Sequence, residues 1–483
     1  MEKVELLFIP GPGMGHLVSA VELGKLLINR DENLSVVFLI INLPFNTGVD
    51  AFIESHLTDA NSRIRFVNTP CNISSTNDQQ QKSKNRNVIA FEMINNFKPL
   101  VRDAVLDMIS KSNNSAKIAG IVVDMFCVGM IDVANEFELP SYVFFTSGAG
   151  FLGLLLHVQT LHDDYNTDIT NYKDSDAELP VPSFINPIPA KVLPTTMLDK
   201  NGGSSTTFTA ARRIRETKGI IVNTFQELEL YAIKSLSDHD VKIPRIYPIG
   251  PIINWNSKAD DCTMSWLDKQ PSCSVLFLCF GSYGSFSISQ VKEIALALEH
   301  CGCRFLWSLR QPPSKGEIDA PSAYANHEEI LPEGFLERTS GIGKVIGWAP
   351  QVAVLSHPAV RGFVSHCGWN SILESLWAGV PIAAWPMYAE QQINAFQMVV
   401  ELGVAVEIKM DYRNDANMES KIIVTADEIE NGIKRIMMDE NKNGIRERVK
   451  DMKEKCRKAI MKEEGSSYIS LAHLIENLNN SNT

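Results

Sequence analysis

Residues 348–391 read WAPQVAVLSHPAVRGFVSHCGWNSILESLWAGVPIAAWPMYAEQ. Apolar runs, one tight turn and two stop signals predict loop, short helix, strand, turn, helix, strand and loop. The strand is 362–365, the turn is His366-Cys367-Gly368-Trp369-Asn370, and the helix is 371–378. Gly379 and Pro381 stop that helix. Residues 382–385 form the next buried strand. Gly368 lets backbone approach a ligand, and the helix start points free N–H groups and a positive partial charge at it, which suits a phosphate. His366, Asn370 and Ser371 add side-chain donors. Each also has a plain structural reading. Ser371-x-x-Glu374 is a capping-box pattern, Trp348 and Trp369 could be core aromatics, and His366 could be a satisfied structural histidine.

Upstream of this run the same pattern recurs. Residues 274–280 read as a strand, Gly281-Ser282-Tyr283-Gly284-Ser285 as a turn and 289–300 as a helix. Strands at 305–309 and 345–346 follow, with a long loop at 311–332 between them. The N-terminal half repeats the form: strand 6–9, the turn Gly11-Pro12-Gly13-Met14-Gly15, a helix with Leu17, Val21, Gly24 and Ile28 on one face, then strand 36–41. This is the opening of a doubly wound α/β domain. A dinucleotide site is disfavoured: His16 stands where the third fingerprint glycine belongs, and the second strand ends at Asn42 rather than an acid. Further strands are predicted at 118–123, 141–146, 219–223, 246–250 and 404–408. One amphipathic helix is predicted over 91–109, helices over 425–462 and a final helix over 468–478. Residues 74–87 read as a mobile loop.

Composition narrows the class. Of 483 residues 45% are hydrophobic and 21% charged, enough for two domains with their own cores. Lys and Arg number 45 against 57 Asp and Glu, a net charge of −12 without a basic tail. That disfavours nucleic acid and anionic membrane as partners. The nine cysteines are dispersed, and Cys301-Gly302-Cys303 is too tight for a usual zinc knuckle. The odd, scattered count reads as reduced thiols of a cytoplasmic protein. No signal peptide is read at the N-terminus, and the longest doubtful apolar run, 150–156, is far too short for a membrane span.

Taken end to end, the 348–391 run resembles the signature box of the plant UDP-dependent glycosyltransferases that act on small secondary metabolites. The resemblance also takes in PGPGMGH at 10–16 and the Asp124 segment, and extends over essentially the whole chain. It implies the GT-B fold, two facing Rossmann-like α/β domains with a cleft between them. The acceptor domain would be 1–250, the linker 251–265, the nucleotide-sugar domain 266–460, and 461–483 a helix packing back on the first domain. Carried over by position, Trp348 stacks on uracil, and Ala349 and Gln351 meet its edge. Glu374 accepts from the ribose hydroxyls. Ser282, His366, Asn370 and Ser371 hold the diphosphate, and Trp369, Glu390 and Gln391 the sugar. Trp369 with a final Gln goes with glucose in the family, whereas Arg at that position goes with glucuronate in some members. Arg361 departs from the usual Gly and has no assigned role.

Sugar transfer to a hydroxyl needs a base, an exposed anomeric carbon and a stabilised leaving group. His16, just after a glycine turn, is the candidate base. Asp124, at another strand end, is the candidate carboxylate that fixes the imidazole tautomer, and the pair resembles the family's His–Asp dyad. The alternatives are a helix cap or phosphate contact for His16 and a strand-end cap for Asp124. Met14, Phe126, Phe144, Phe145 and Tyr388 are candidates for an apolar acceptor pocket or for plain core. The expectation is inverting transfer from UDP-glucose, as co-substrate, to a flavonoid or other phenolic first and a triterpenoid next, without metal or cofactor, by a monomer. The alternative is a catalytically inactive UDP-sugar-binding protein.

Overall fold

The apolar runs become two parallel sheets. The computed structural model of the chain describes residues 3–43, 48–57, 63–69, 86–111, 117–238, 242–255, 261–314, 320–412, 422–438 and 444–480. The first sheet consists of Val4–Ile9 (β1), Leu34–Ile40 (β2), Ile64–Asn68 (β3), Lys117–Asp124 (β4), Ser141–Phe145 (β5), Gly219–Val222 (β6) and Arg245–Pro248 (β7). Their order is β3-β2-β1-β4-β5-β6-β7. The second consists of Val275–Cys279 (β8), Arg304–Ser308 (β9), Gly343–Ile346 (β10), Val360–Ser365 (β11), Ile382–Ala384 (β12) and Ala405–Glu407 (β13), ordered β10-β9-β8-β11-β12-β13. Each sheet therefore runs third, second, first, fourth, fifth, sixth, and the first sheet adds a seventh strand at that edge. The order reverses between β1 and β4, and again between β8 and β11. These switch points open a crevice at the C-terminal strand ends.

Alternation along the strands divides the first sheet's core. Leu7 and Ile9 pack on one face of β1, and Leu6 and Phe8 on the other. All four are essentially inaccessible, and burying each such side chain contributes roughly 1.5–3 kcal/mol. The helix Met14–Arg30 (α1) covers the Leu6–Phe8 face with Leu17, Val21, Leu27 and Ile28. The C-terminal helix Ser466–Asn480 (α6) lies on that same face through Leu471, Leu474, Ile475 and Leu478. Asn477 Nδ2 donates to the Tyr247 hydroxyl at 2.8 Å and Ser466 Oγ to Glu227 Oε2 at 2.8 Å, so the last helix of the chain sits on the first domain.

Several elements depart from the sequence expectation. The predicted helix 91–109 is two helices, Arg86–Asn95 and Lys98–Lys111. Pro99 has no N–H to continue the first and sits comfortably in the first turn of the second. The strand β3 had no sequence signal, because as an edge strand it alternates imperfectly and carries Arg65 and Asn68. The apolar run 150–156 is the buried start of helix Ala149–Tyr165 (α2). Within the expected linker 251–265, residues 256–260 lie outside the described residues and Asp261–Leu267 is helical. The loop expected over 74–87 also lies outside them, except that 86–87 open a helix. Among the described residues no helix is long and apolar enough to cross a membrane.

Candidate active site

At the first switch point the dyad atoms meet. His16 is in the first turn of α1, and Asp124 is the last residue of β4. His16 Nδ1 lies 2.8 Å from Asp124 Oδ2, although 108 residues separate them. Asp124 Oδ1 accepts from the Phe126 N–H at 2.9 Å, so both carboxylate oxygens are engaged. Thr146 Oγ1, just past β5, is 3.0 Å from His16 Nδ1. With an ionised acceptor at Nδ1, the proton belongs there and Nε2 is left with its lone pair. Asp124 is 2% exposed, whereas a quarter of the His16 side chain is accessible. Burial alone would lower the His16 pKa. The attraction and hydrogen bond of Asp124, with the charge of Glu390, outweigh it and raise the pKa above 6.5. The Phe126 ring flanks the imidazole, centroids 5.0 Å apart.

At the second switch point the chain forms a cradle. Ser282 follows β8, and His366 follows β11. The His366 ring lies between two glycines: a Cβ on Gly281 or on Gly368 would be 2.5 Å from its Nε2. Burial lowers the His366 pKa to about 4, so the ring is neutral, and its Nδ1 is buried without a hydrogen-bond partner among the described residues. Cys367 holds a left-handed φ of 61°, which costs roughly 1–3 kcal/mol outside glycine. Its N–H donates to Ser365 Oγ at 3.1 Å, and its carbonyl accepts from Asn394 Nδ2 at 3.1 Å, which holds the turn. The helix Trp369–Ala378 (α4, following Gln351–Ser356, α3) then starts at Gly368 with no side-chain cap. Its first-turn N–H groups and its positive end are available to an anion. Ser371 is thus inside the helix, and the capping box with Glu374 does not form.

Ser371 and Glu374 instead face α3. Gln351 Nε2 donates to Ser371 Oγ at 2.8 Å and to Glu374 Oε2 at 2.7 Å. Withdrawal from water raises the Glu374 pKa to about 7, with the Gln351 bond opposing. Trp348 is 64% exposed, with the Arg310 guanidinium 5.2 Å from its ring centroid, and Ala349 is buried beside it. Gln391 opens the helix Gln391–Phe396 (α5), and its Oε1 accepts from the N–H groups of Met387 and Tyr388 at 2.9 and 3.0 Å. Glu390 Oε1 accepts from Ser147 Oγ across the domain junction at 3.3 Å.

Other side chains stand differently from expectation. Trp369 is 3% exposed and donates its indole N–H to the Asn223 carbonyl at 2.7 Å, so this side chain is part of the domain junction and not a donor to sugar hydroxyls. Asn370 Nδ2 faces Gly15 O at 3.4 Å and Ser19 Oγ at 3.2 Å, contacts with the first domain rather than the cradle. Phe144 and Phe145 point to opposite faces of the first sheet and are fully enclosed in its two cores, so neither lines a pocket. Met14 and Tyr388 are half-buried, and Phe126 is exposed. Asn223 and Glu229 had no sequence signal beyond a strand end and a loop acid. Glu229 accepts from the Ala149 and Gly150 N–H groups that open α2, and from Gln397 Nε2, each at 2.8 Å. The grouping His300, Asp427 and Glu430 has metal-ligand spacing, but His300 ends a helix that has run back from the cleft end of the second sheet.

The family described as UDP-glucoronosyl and UDP-glucosyl transferase matches residues 210–452. The chain is 53% identical to UDP-glucose flavonoid 3-O-glucosyltransferase 6 of Fragaria ananassa over 492 residues, covering 99% of each. A UGT transferase from Siraitia grosvenorii, solved in complex with UDP, superposes with a TM-score of 0.87 at 46% identity, covering 99% of this chain and 100% of that one. Medicago truncatula UGT71G1, complexed with UDP-glucose, superposes with a TM-score of 0.86 at 42% identity, covering 99% and 98%.

Proposed function

The chain belongs to the UDP-glycosyltransferases of plants, and from that premise we propose that it transfers glucose from UDP-glucose to a hydroxyl of a small apolar acceptor with inversion at the anomeric carbon. The observation that carries this is the His16–Asp124 pair, 2.8 Å apart at one switch point, facing the uncapped start of α4 at the other. The acceptor O–H gives its proton to His16 Nε2. The oxygen bonds to the anomeric carbon as the bond from that carbon to the phosphate oxygen breaks, and the electron pair leaves on UDP. Asp124 stabilises the imidazolium. General-base help of this kind contributes roughly 10²–10⁴-fold. Attack opposite the leaving group turns an α-linked donor into a β-O-glucoside.

The donor would lie along the second domain. Trp348 offers its open face to uracil, the backbone beside Ala349 and the Gln351 side chain its edge, and Glu374 the ribose. Ser282, Ser371, neutral His366 and the α4 N-terminus would take the diphosphate, so the leaving charge is met by protein groups without a metal. Glu390 and Gln391 would hold the sugar. The acceptor would rest against Met14, Phe126 and Tyr388, which suits a flavonoid or other phenolic, the class that the Fragaria relative's name gives. We place the acceptor domain at 1–250, the linker at 251–265, the donor domain at 266–460 and the returning helix at 461–483, in a cytoplasmic monomer. The test is release of UDP from UDP-glucose across a panel of phenols and triterpenoids, with product regiochemistry. No release with any acceptor, despite UDP binding, would leave a catalytically inactive UDP-sugar-binding protein.

A further inference from the structure

Asn223 follows β6 at the same sheet end as Asp124 and Thr146, and it is wholly buried. Three of its polar atoms hold two parts of the molecule, the segment at Ile252 and the start of α4. Its Oδ1 accepts from the Ile252 N–H at 2.9 Å, just where the chain leaves the first domain. Its carbonyl accepts from the Trp369 indole at 2.7 Å. Its Nδ2 donates to Asn370 Oδ1 at 3.3 Å. Asn370 passes the connection on, through Nδ2, to the Gly15 carbonyl and to Ser19 Oγ, and Ser19 Oγ itself donates to the Gly15 carbonyl at 2.9 Å. Gly15 immediately precedes His16. One buried residue thus holds the first two residues of the anion-facing helix α4, Trp369 by its carbonyl and Asn370 by its side chain, and Asn370 carries the connection to the turn before the base.

We propose that Asn223 is a positioning residue for transfer: it sets the diphosphate cradle in register with His16 across the domain junction. This rests on the reading of the site as a UDP-sugar transferase. The chemistry requires an amide. One end must accept from Ile252 while the other donates to Asn370, which no carboxylate and no aliphatic side chain does. A carboxylate at 223 would oppose Asn370 Oδ1. The Asn370 amide would have to turn over, placing its carbonyl oxygen against Gly15 O and losing that contact, so that only the Ser19 hydroxyl, which can rotate to donate, would still tie α4 to α1. Each half-site would stay intact while their alignment was lost. A displacement on the order of 1 Å costs about 10²-fold in rate even when it originates away from the chemistry.

The test compares kcat, UDP affinity and melting temperature for the full chain. Asn223→Asp is expected to lower kcat about 10–100-fold while UDP, titrated calorimetrically, keeps full stoichiometry and a Kd within about threefold of wild type. Ser19→Ala, which removes only the far end of the relay, is expected to lower kcat about two- to fivefold at unchanged UDP Kd, and to add little to Asn223→Asp. Wild-type kcat in Asn223→Asp, or UDP stoichiometry falling in step with kcat, would overturn the proposal. If Asn223→Asp does not fold, wild-type kcat in Ser19→Ala overturns it. Failure of the unmodified enzyme to bind UDP or to release it from UDP-glucose would strike the transferase reading itself.

Discussion

Gly11 and Asp124 approach so closely that a Cβ on Gly11 would lie 2.5 Å from Asp124 Oδ1. The turn after β1 therefore rests directly on the carboxylate that orients His16, and only glycine leaves it room. Gly11→Ala is expected to push Asp124 away from His16 Nδ1 and to lower kcat about 10²-fold. UDP affinity should be unchanged, because neither residue faces the cradle. Calorimetry and steady-state kinetics on one preparation check both statements.

As the proposed base His16 would work only when neutral, and its pKa is raised above 6.5 by Asp124 and Glu390 against the effect of burial. The acidic limb of kcat/KM should accordingly lie above pH 6.5. In Asp124→Asn it should move to lower pH, since burial then acts with less opposition. His16→Ala should abolish nearly all transfer to a weakly acidic hydroxyl, and the double variant should be little worse, because groups acting as a unit are non-additive. A more acidic phenol should suffer less. Measured pH profiles that coincide in wild type and Asp124→Asn would remove Asp124 from this role.

Trp348 is a large aromatic held 64% exposed with Arg310 at its ring. Base–aromatic stacking contributes roughly 1–3 kcal/mol, so Trp348→Ala should weaken UDP binding between about fivefold and about 150-fold. Titration with UDP gives the number directly, and an unchanged Kd would take the indole out of the donor site.

Enclosure pushes the Glu374 pKa up to about 7, against the hydrogen bond from Gln351. A carboxylate accepts two ribose hydroxyls better than a carboxylic acid does. UDP should therefore bind more tightly at pH 8 than at pH 6 in the unmodified protein. Glu374→Gln should bind more weakly, and its affinity should vary less over that interval. A flat wild-type profile would show that the ribose does not depend on this charge.

If α4 and the neutral His366 meet the leaving diphosphate, a chelator should leave the rate intact. Assay in excess EDTA, with and without added Mg²⁺, distinguishes the cases; loss of activity restored by Mg²⁺ would require a cation in the step.

Much of this architecture was readable from local pattern. Strand, turn and helix follow from the spacing of apolar residues over a few positions, as in 6–16 and in 362–379, and the stops at Gly379 and Pro381 act on their own neighbours. The resemblance paired His16 with Asp124, and the two side chains meet at one switch point, His16 from the first turn of α1 and Asp124 from the end of β4. What local pattern could not carry is the facing of distant surfaces. Phe144 and Phe145 look like pocket aromatics until the sheet gains a covered layer on each side, after which alternation sends one into each core. The edge strand β3 alternates too weakly to be seen because none of its residues is fully buried. Trp369 reads as a sugar contact, yet its indole meets the carbonyl of Asn223, 146 residues earlier. That contact depends on the angle at which two separately folded sheets close, and the angle is set by the packing of whole surfaces rather than by the residues on either side of a given position.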